Sequence, residues 1–235
     1  MIPIDKKIRV LTIQFDAEIS SQEIVWFRGA VLKSLGDNAD LLYHNHIENK
    51  TFRYSYPLIQ YKRLGGKAAI VCVENGADVI GQYLSEASGV ICIGNKEIKC
   101  DITKISPIRI LVQTWKHSFG YHITRWLPLN SKNYQIYQLM EEDDEKKAML
   151  ESILKGNLLS MLKGLGIRIK DELFVRITQL SDSYIIYNKG VGMMAFNADF
   201  TCNLSIPNNV GIGKNASIGC GVVHQERKDF TNNQI

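Results

Sequence analysis

Four glycines, Gly211, Gly213, Gly219 and Gly221, fall within eleven residues of the run VGIGKNASIGCGVV at positions 210–223. Glycine lets a backbone come close to another group, and amides presented in this way can cradle an anion. Lys214 adds a point charge to such a cradle, and Ser217 lies in the same run. A hairpin that binds nothing would use the same residues. Two phosphate-binding loops are excluded. A dinucleotide-binding fingerprint follows a strand and opens a helix, whereas a β-branched run follows here. The spacing of a Walker loop is also absent.

Upstream, helical and extended patterns alternate. Residues 8–15 (IRVLTIQF) are rich in branched apolar side chains with rough alternation, the signature of a strand. Ser20 and Glu23 form a capping-box pair, after which Ile24, Phe27, Val31 and Leu35 share a helical face that Gly36 closes. An extended stretch at 52–56, a hairpin over 58–73 turning at Gly65-Gly66, a helix over 77–85 and a strand over 98–102 follow. This is the order β-α-β-β-α-β of the ferredoxin-like unit. A less regular version begins after Ser106-Pro107, with strands at 108–115 and 121–127. One interrupted or two consecutive helices then span 133–165, with Ile153, Leu154, Leu158, Met161, Leu162 and Leu165 as a buried stripe. Strands at 173–180, 184–187, 193–206 and 217–223 complete it. The expected architecture is α+β, two tandem ferredoxin-like (RRM-like) halves, with domains at 1–104 and 105–235.

A chain of 235 residues is long enough for two such domains of roughly 100 residues each. No window approaches the roughly 18 consecutive apolar residues of a membrane span. The N-terminal MIPIDKKIRV is followed by no apolar signal core or cleavage site, so a cytoplasmic location is expected. Cys72, Cys92, Cys100, Cys202 and Cys220 form no CxxC pair and are odd in number, which favours small buried hydrophobes over a zinc site or a disulfide framework. The net charge of +4 is too mild to indicate nucleic acid by itself, but it is unevenly placed. From Arg28 to Lys67 seven basic residues stand against three acidic ones, while Glu141, Glu142, Asp143, Asp144 and Glu145 form an acidic run suited to a solvated helix start. A polyanion would therefore meet the first half. There Arg53, Lys62, Arg63 and Lys67, interleaved with Tyr54, Tyr56 and Tyr61, suit either RNA phosphates and bases or the solvent face of a hairpin.

The pattern GxGxxxSxGxG followed by Val resembles the C-terminal glycine-rich loop of the repeat-associated RNA-binding superfamily, and specifically its sixth Cas family, the CRISPR repeat endoribonucleases. The segment HNHIENKTFRYS at 44–55 is similar to archaeal members, which carry a histidine and, six positions later, a lysine before an aromatic-x-Tyr-Ser run. By that spacing His44 takes the histidine place and Lys50 the lysine place. Residues 27–33, YPLIQYKRLGGKAAIV at 56–71 and ILKGNLLSMLKGLG at 153–166 resemble bacterial members. Some members place a tyrosine three residues after the helix glycine to assist proton removal, but Leu32 stands there, which leaves His46, Tyr43 and Tyr54 as rival bases. His117 and His122 read as strand residues rather than catalysts.

The resemblance implies cleavage of CRISPR precursor RNA within its repeats. RNA can be cut by its own 2′-hydroxyl, which needs a proton acceptor, a donor at the departing 5′-oxygen and positive charge beside the phosphorane. Histidine serves either proton role, with an unperturbed pKa of about 6.5, and Lys50 would supply charge. No cofactor is expected, nor any metal, since His44 and His46 lack further ligands at suitable spacing. Arg53, Lys62, Arg63, Gly211, Gly213, Lys214, Ser217, Gly219 and Gly221 are the RNA-binding candidates. Repeat RNA is the expected partner, with effector-complex subunits and a second copy of the chain as further candidates. Two rival readings are a non-catalytic guide-RNA-binding protein of the same superfamily and a phosphate- or nucleotide-binding enzyme using the glycine-rich loop.

Overall fold

The strand pattern at the start of the chain alternates between two buried faces, and this places it at the centre of a sheet. The computed structural model describes residues 6–34, 46–47, 51–52, 56–86, 89–94 and 96–226. Strand β1 (Lys6–Glu18) turns Ile13, Phe15 and Ala17 to one side and Ile8 and Val10 to the other. Helix α1 (Ile24–Ser34) follows, and its start carries the expected capping box. Ser20 N–H donates to Glu23 Oε2 at 2.7 Å and Glu23 N–H to Ser20 Oγ at 3.3 Å. Short strands β2 (His46–Ile47) and β3 (Thr51–Phe52) pair with each other. The hairpin of β4 (Ile59–Leu64) and β5 (Lys67–Val73) turns at Gly65 and Gly66, both at positive φ, which glycine reaches without steric cost. Helix α2 (Asn75–Glu86), a small hairpin of β6 (Val90–Ile93) and β7 (Lys96–Lys99), and β8 (Ile102–Val112) complete this half.

The sheet order is β4-β5-β1-β8, the ferredoxin-like arrangement, with α1 and α2 covering one face. Phe27 of α1 sits edge-on between Phe15 and Tyr61, with ring centroids 5.7 and 5.8 Å away. The fourth strand differs from the expectation. Residues 96–99 belong to the inserted β6–β7 hairpin, and β8 supplies the fourth strand, running through Pro107 in register with β1 from Val112 to Lys104, with a shift only beyond Gln14. Because β8 lies at the sheet edge, it can accommodate a proline that has no N–H to donate. The boundary expected at 104/105 therefore falls inside β8.

The second half repeats the arrangement with one substitution. Strand β9 (Thr114–Trp126) extends the strand expected at 121–127 back to Thr114, while most of the strand expected at 108–115 is the end of β8. Helices α3 (Ser131–Leu139) and α4 (Asp143–Gly164) follow, then β10 (Val175–Leu180), β11 (Tyr184–Asn188), β12 (Val191–Leu204) and β13 (Val222–Gln225). The order β10-β12-β9-β13 repeats that of the first sheet, with β11 pairing the outer part of β12. Between its third and fourth strands, where the first half has α2, this half has residues 205–221 and the glycine-rich segment. Of the strand expected at 217–223, only its end forms β13.

Helix α4 packs Leu150, Leu154, Leu158, Met161 and Leu162 onto the sheet at the spacing of one helical face. Asp143, Asp144 and Glu145 occupy its first turn, where the helix dipole favours negative charge. It ends in a Schellman motif: Gly166 takes φ 66, Ile167 N–H reaches Leu162 O at 2.9 Å, and Gly166 N–H reaches Lys163 O at 3.1 Å. Ile8, Val10, Val71 and Val73 of the first sheet share one hydrophobic cluster with α4 and the second sheet, so the two halves hold a continuous core. Among the described residues no helix is long and apolar enough to cross a membrane. Leu154 is fully buried in that shared core, and Leu154→Ala should lower the unfolding free energy by about 2–5 kcal/mol. A urea titration checks this, and a loss well below 1 kcal/mol would contradict the packing.

Candidate nucleic-acid interface

The glycine-rich segment is held down by β4. Tyr61 N–H donates to Ser217 O at 2.8 Å, and Tyr61 bridges Ile218 in parallel, so residues 217–218 cover the outer edge of the first sheet. Gln60 Oε1 accepts Gly211 N–H at 2.7 Å. Lys62, on the same face of β4 as Gln60, is fully buried and donates from Nζ to Ala216 O at 2.9 Å. Burial lowers its pKa to about 7, against a weaker opposite pull from Cys220. Within the segment, Asn215 O accepts from Ile218 and Cys220 N–H at 3.0 and 3.3 Å, and Ile212 N–H donates to Gly221 O at 2.9 Å. The segment forms a folded strap clamped between the halves.

This geometry divides the expected RNA-binding set into buried and reachable members. Lys62 does not face solvent; its amine supports the strap from beneath. Gly211, Gly219 and Gly221 are buried, and the amides of Gly211 and Gly221 are spent on Gln60 Oε1 and Arg125 O. Their lack of a side chain is explained by packing. A Cβ at Gly211 would collide with Lys62 Nζ, one at Gly221 with Ile212 O, and one at Gly219 with Ile24 Cδ1. Lys214 is exposed, and Gly213 and Ser217 are partly so, which leaves the strap's outer turn as the part a ligand can reach. Arg63 is exposed, and its Nε donates to Ile19 O at 2.7 Å, which orients the guanidinium. His44, Lys50, Arg53, Tyr43 and Tyr54 lie outside the described residues. The backbone of His46 is described and pairs opposite Phe52.

A groove of about 800 Å³ opens where the helix-free faces of the two sheets meet. Thr12, Gln14, Lys104 and Ser106 line it from the first sheet, with Arg63 from the β4–β5 turn and Asn208, Asn209 and His224 from the second half. Register explains the first group, because Thr12 stands opposite Ser106 and Gln14 opposite Lys104. One signal for the groove was present in the sequence: on this face of β1 the apolar Ile8 and Val10 give way to polar Thr12 and Gln14. Lys104, Asn208, Asn209 and His224 come from distant segments and had no local signature. Beside them on the second sheet, His122 Nδ1 is hydrogen-bonded to Asp199 Oδ1, and His224 stands directly opposite His122. Burial lowers the pKa of His224, with added repulsion from His122 and Lys62. Two cations among amides and hydroxyls suit a phosphate backbone and the polar edges of unpaired bases.

The buried lysine yields a pH prediction. With a folded pKa of about 7 and an unfolded value of 10.5, the unfolded chain holds a proton that the folded chain lacks between those values. Stability contributed by Lys62 therefore rises with pH across that window. The stability difference between wild type and Lys62→Met, measured by urea unfolding, should move in favour of wild type from pH 7 to pH 10. A difference that does not change with pH would mean the lysine stays charged in the fold.

Family comparisons follow the same two-part division. The Cas6b N-terminal domain matches residues 6–109 and the Cas6b C-terminal domain residues 113–226, meeting at the end of β8. An uncharacterized protein of Methanocaldococcus jannaschii is 40% identical over 101 residues, 43% of this chain and 67% of that protein. A crystal structure of Cas6b superposes with a TM-score of 0.83 at 28% identity, covering 94% of this chain and all of that one. A second, of a CRISPR RNA processing endoribonuclease Cas6b, superposes at 0.69 with 25% identity over the same shares. With both domains matched in chain order over nearly all described residues, the chain belongs to the Cas6b family.

Proposed function

We propose that the protein is a metal-independent endoribonuclease that cuts CRISPR precursor RNA within its repeats by 2′-hydroxyl attack, leaving a 2′,3′-cyclic phosphate and a 5′-hydroxyl. The observation that carries this reading is the likeness, over 94% of the chain, to a CRISPR RNA processing endoribonuclease Cas6b. The groove bearing Arg63 and Lys104, together with the exposed Lys214 on the strap, supports a single-stranded polyanion as the ligand. In this mechanism His44 transfers a proton, Lys50 stabilises charge on the phosphorane, and His46 is the alternative acid or base. Such proton transfer contributes roughly 10²- to 10⁴-fold. The nucleophile is the RNA's own 2′-hydroxyl, so no metal-activated water is needed.

Two experiments test this. A repeat RNA with a single 2′-deoxy sugar immediately 5′ of the cut should bind almost normally and resist cleavage, while the all-ribose RNA should be cut in excess EDTA. Loss of cleavage in EDTA with recovery on adding magnesium would overturn the mechanism. His44→Ala should lower the single-turnover rate by roughly 10²-fold with little change in affinity. A severe His46→Ala beside a mild His44→Ala would move the proton-transfer role to His46.

A further inference from the structure

On the side of the strap formed by Ile218 and Cys220 lies a cavity of about 440 Å³, walled also by β11 and by Ser21, Gln22 and Val25 at the start of α1. Arg125 lines it, and the way the fold positions this arginine is unusual. Between the pairs Ile123↔Ala198 and Trp126↔Phe196, β9 has two residues, Thr124 and Arg125, opposite the single Asn197 of β12. This is a β-bulge, a device that redirects a side chain out of a regular ladder. Arg125 sits at φ 53, in the left-handed region that a non-glycine side chain occupies only when its surroundings impose it.

Those surroundings are visible. Asn197 Oδ1 accepts Arg125 N–H at 2.9 Å and the Tyr184 hydroxyl at 3.0 Å, while Arg125 O accepts Gly221 N–H at 3.1 Å. The bulge is thus tied to β12, to β11 and to the strap. The guanidinium it aims meets the Cys220 thiol but no carboxylate. Arg125 Nε is buried without a hydrogen-bond partner, and Arg125 takes part in none of the ion pairs among the described residues. Its titratable neighbours Cys220 and Tyr184 both have pKa values raised by burial, so they remain neutral and supply no counter-charge.

A guanidinium carried on such a bulge, with its Nε unpaired and no counter-charge beside it, calls for an anion that can accept in its plane, and phosphate fits that geometry. At the mouth of the cavity β11 presents Tyr187, 74% exposed, and Ile185, 51% exposed, a surface against which a base can stack. We infer that the Arg125 cavity is a nucleotide subsite for the RNA, with a phosphate on Arg125 and the attached base against Tyr187. This rests on the proposed RNA substrate, and it assigns a contact outside both the groove and the 44–50 segment.

The full-length protein and a repeat RNA, followed by fluorescence anisotropy over a range of salt concentrations, test it. Arg125→Met should weaken binding about 10-fold or more and lower the salt slope by about 0.7, the share of one phosphate on a single strand. Tyr187→Ala, at an exposed position that leaves the fold intact, should weaken binding about fivefold or more with an unchanged slope. Should Arg125→Met fail to fold, Tyr187→Ala together with Arg125→Lys decides, the lysine variant keeping the slope while losing affinity. Wild-type affinity and slope in Tyr187→Ala and in the folded Arg125 variants would overturn the subsite. Absence of RNA binding by the wild type would instead remove the RNA reading and the subsite with it.

Discussion

A lysine amine buried under a carbonyl ties the strap of the second half to the first sheet. Lys62 is placed by β4 on the face turned towards the second half, and its bond to Ala216 spans 154 positions of sequence. Burying an amine is costly unless its donors are used. Here the penalty is offset by the acceptor on the strap and lessened by a pKa low enough for a neutral form. Gln60 and Tyr61 add two more bonds on either side. Between them these residues hold down the strap, which stands where a full ferredoxin-like second half would have a helix, and they couple the two sheets at the point where the strap turns. Glycine at 211 is part of the same device, since any side chain there would displace the Lys62 amine.

The groove follows from that coupling. Each sheet covers one face with helices and leaves part of the other free. The shared cluster around Ile8, Val10, Val71 and Val73 closes the apolar part of the free face. The polar continuation of the same strands is left open, so a single change of pattern along β1 separates the region that glues the halves from the region available to a ligand. No carboxylate lines this opening among the described residues, and Asp199 beside it is paired with His122.

Much of the frame was legible because its signals are local. The capping box at Ser20–Glu23, the Gly65-Gly66 turn and the apolar stripe of α4 each act over a few residues, and each forms as expected. Errors arose where local and distant signals conflict. Pro107 reads as a break, yet the edge position of β8 tolerates it. The glycines of the strap read as a phosphate cradle, but a Cβ at any of the four would collide, with Lys62, Asn157, Ile24 or Ile212, which no local pattern reveals. Lys62 and Arg63 are adjacent basic residues on one strand, and only alternation about a sheet edge sends one inward and the other outward. His44, Lys50 and Arg53 lie outside the described residues, so the first two rest on the resemblance and Arg53 on its place among basic and aromatic residues.

The strap also sets an order of events during synthesis. β4 emerges early and can pair at once with β5, but its outer edge is covered by residues made about 150 positions later. At translation rates of roughly 5–20 residues per second, that interval lasts on the order of 8–30 s. Throughout it the nascent first half displays an open strand edge, the feature most prone to pairing with a neighbouring chain. The amine of Lys62, still hydrated and charged at that stage, would keep such an edge soluble until the strap arrives to take its place.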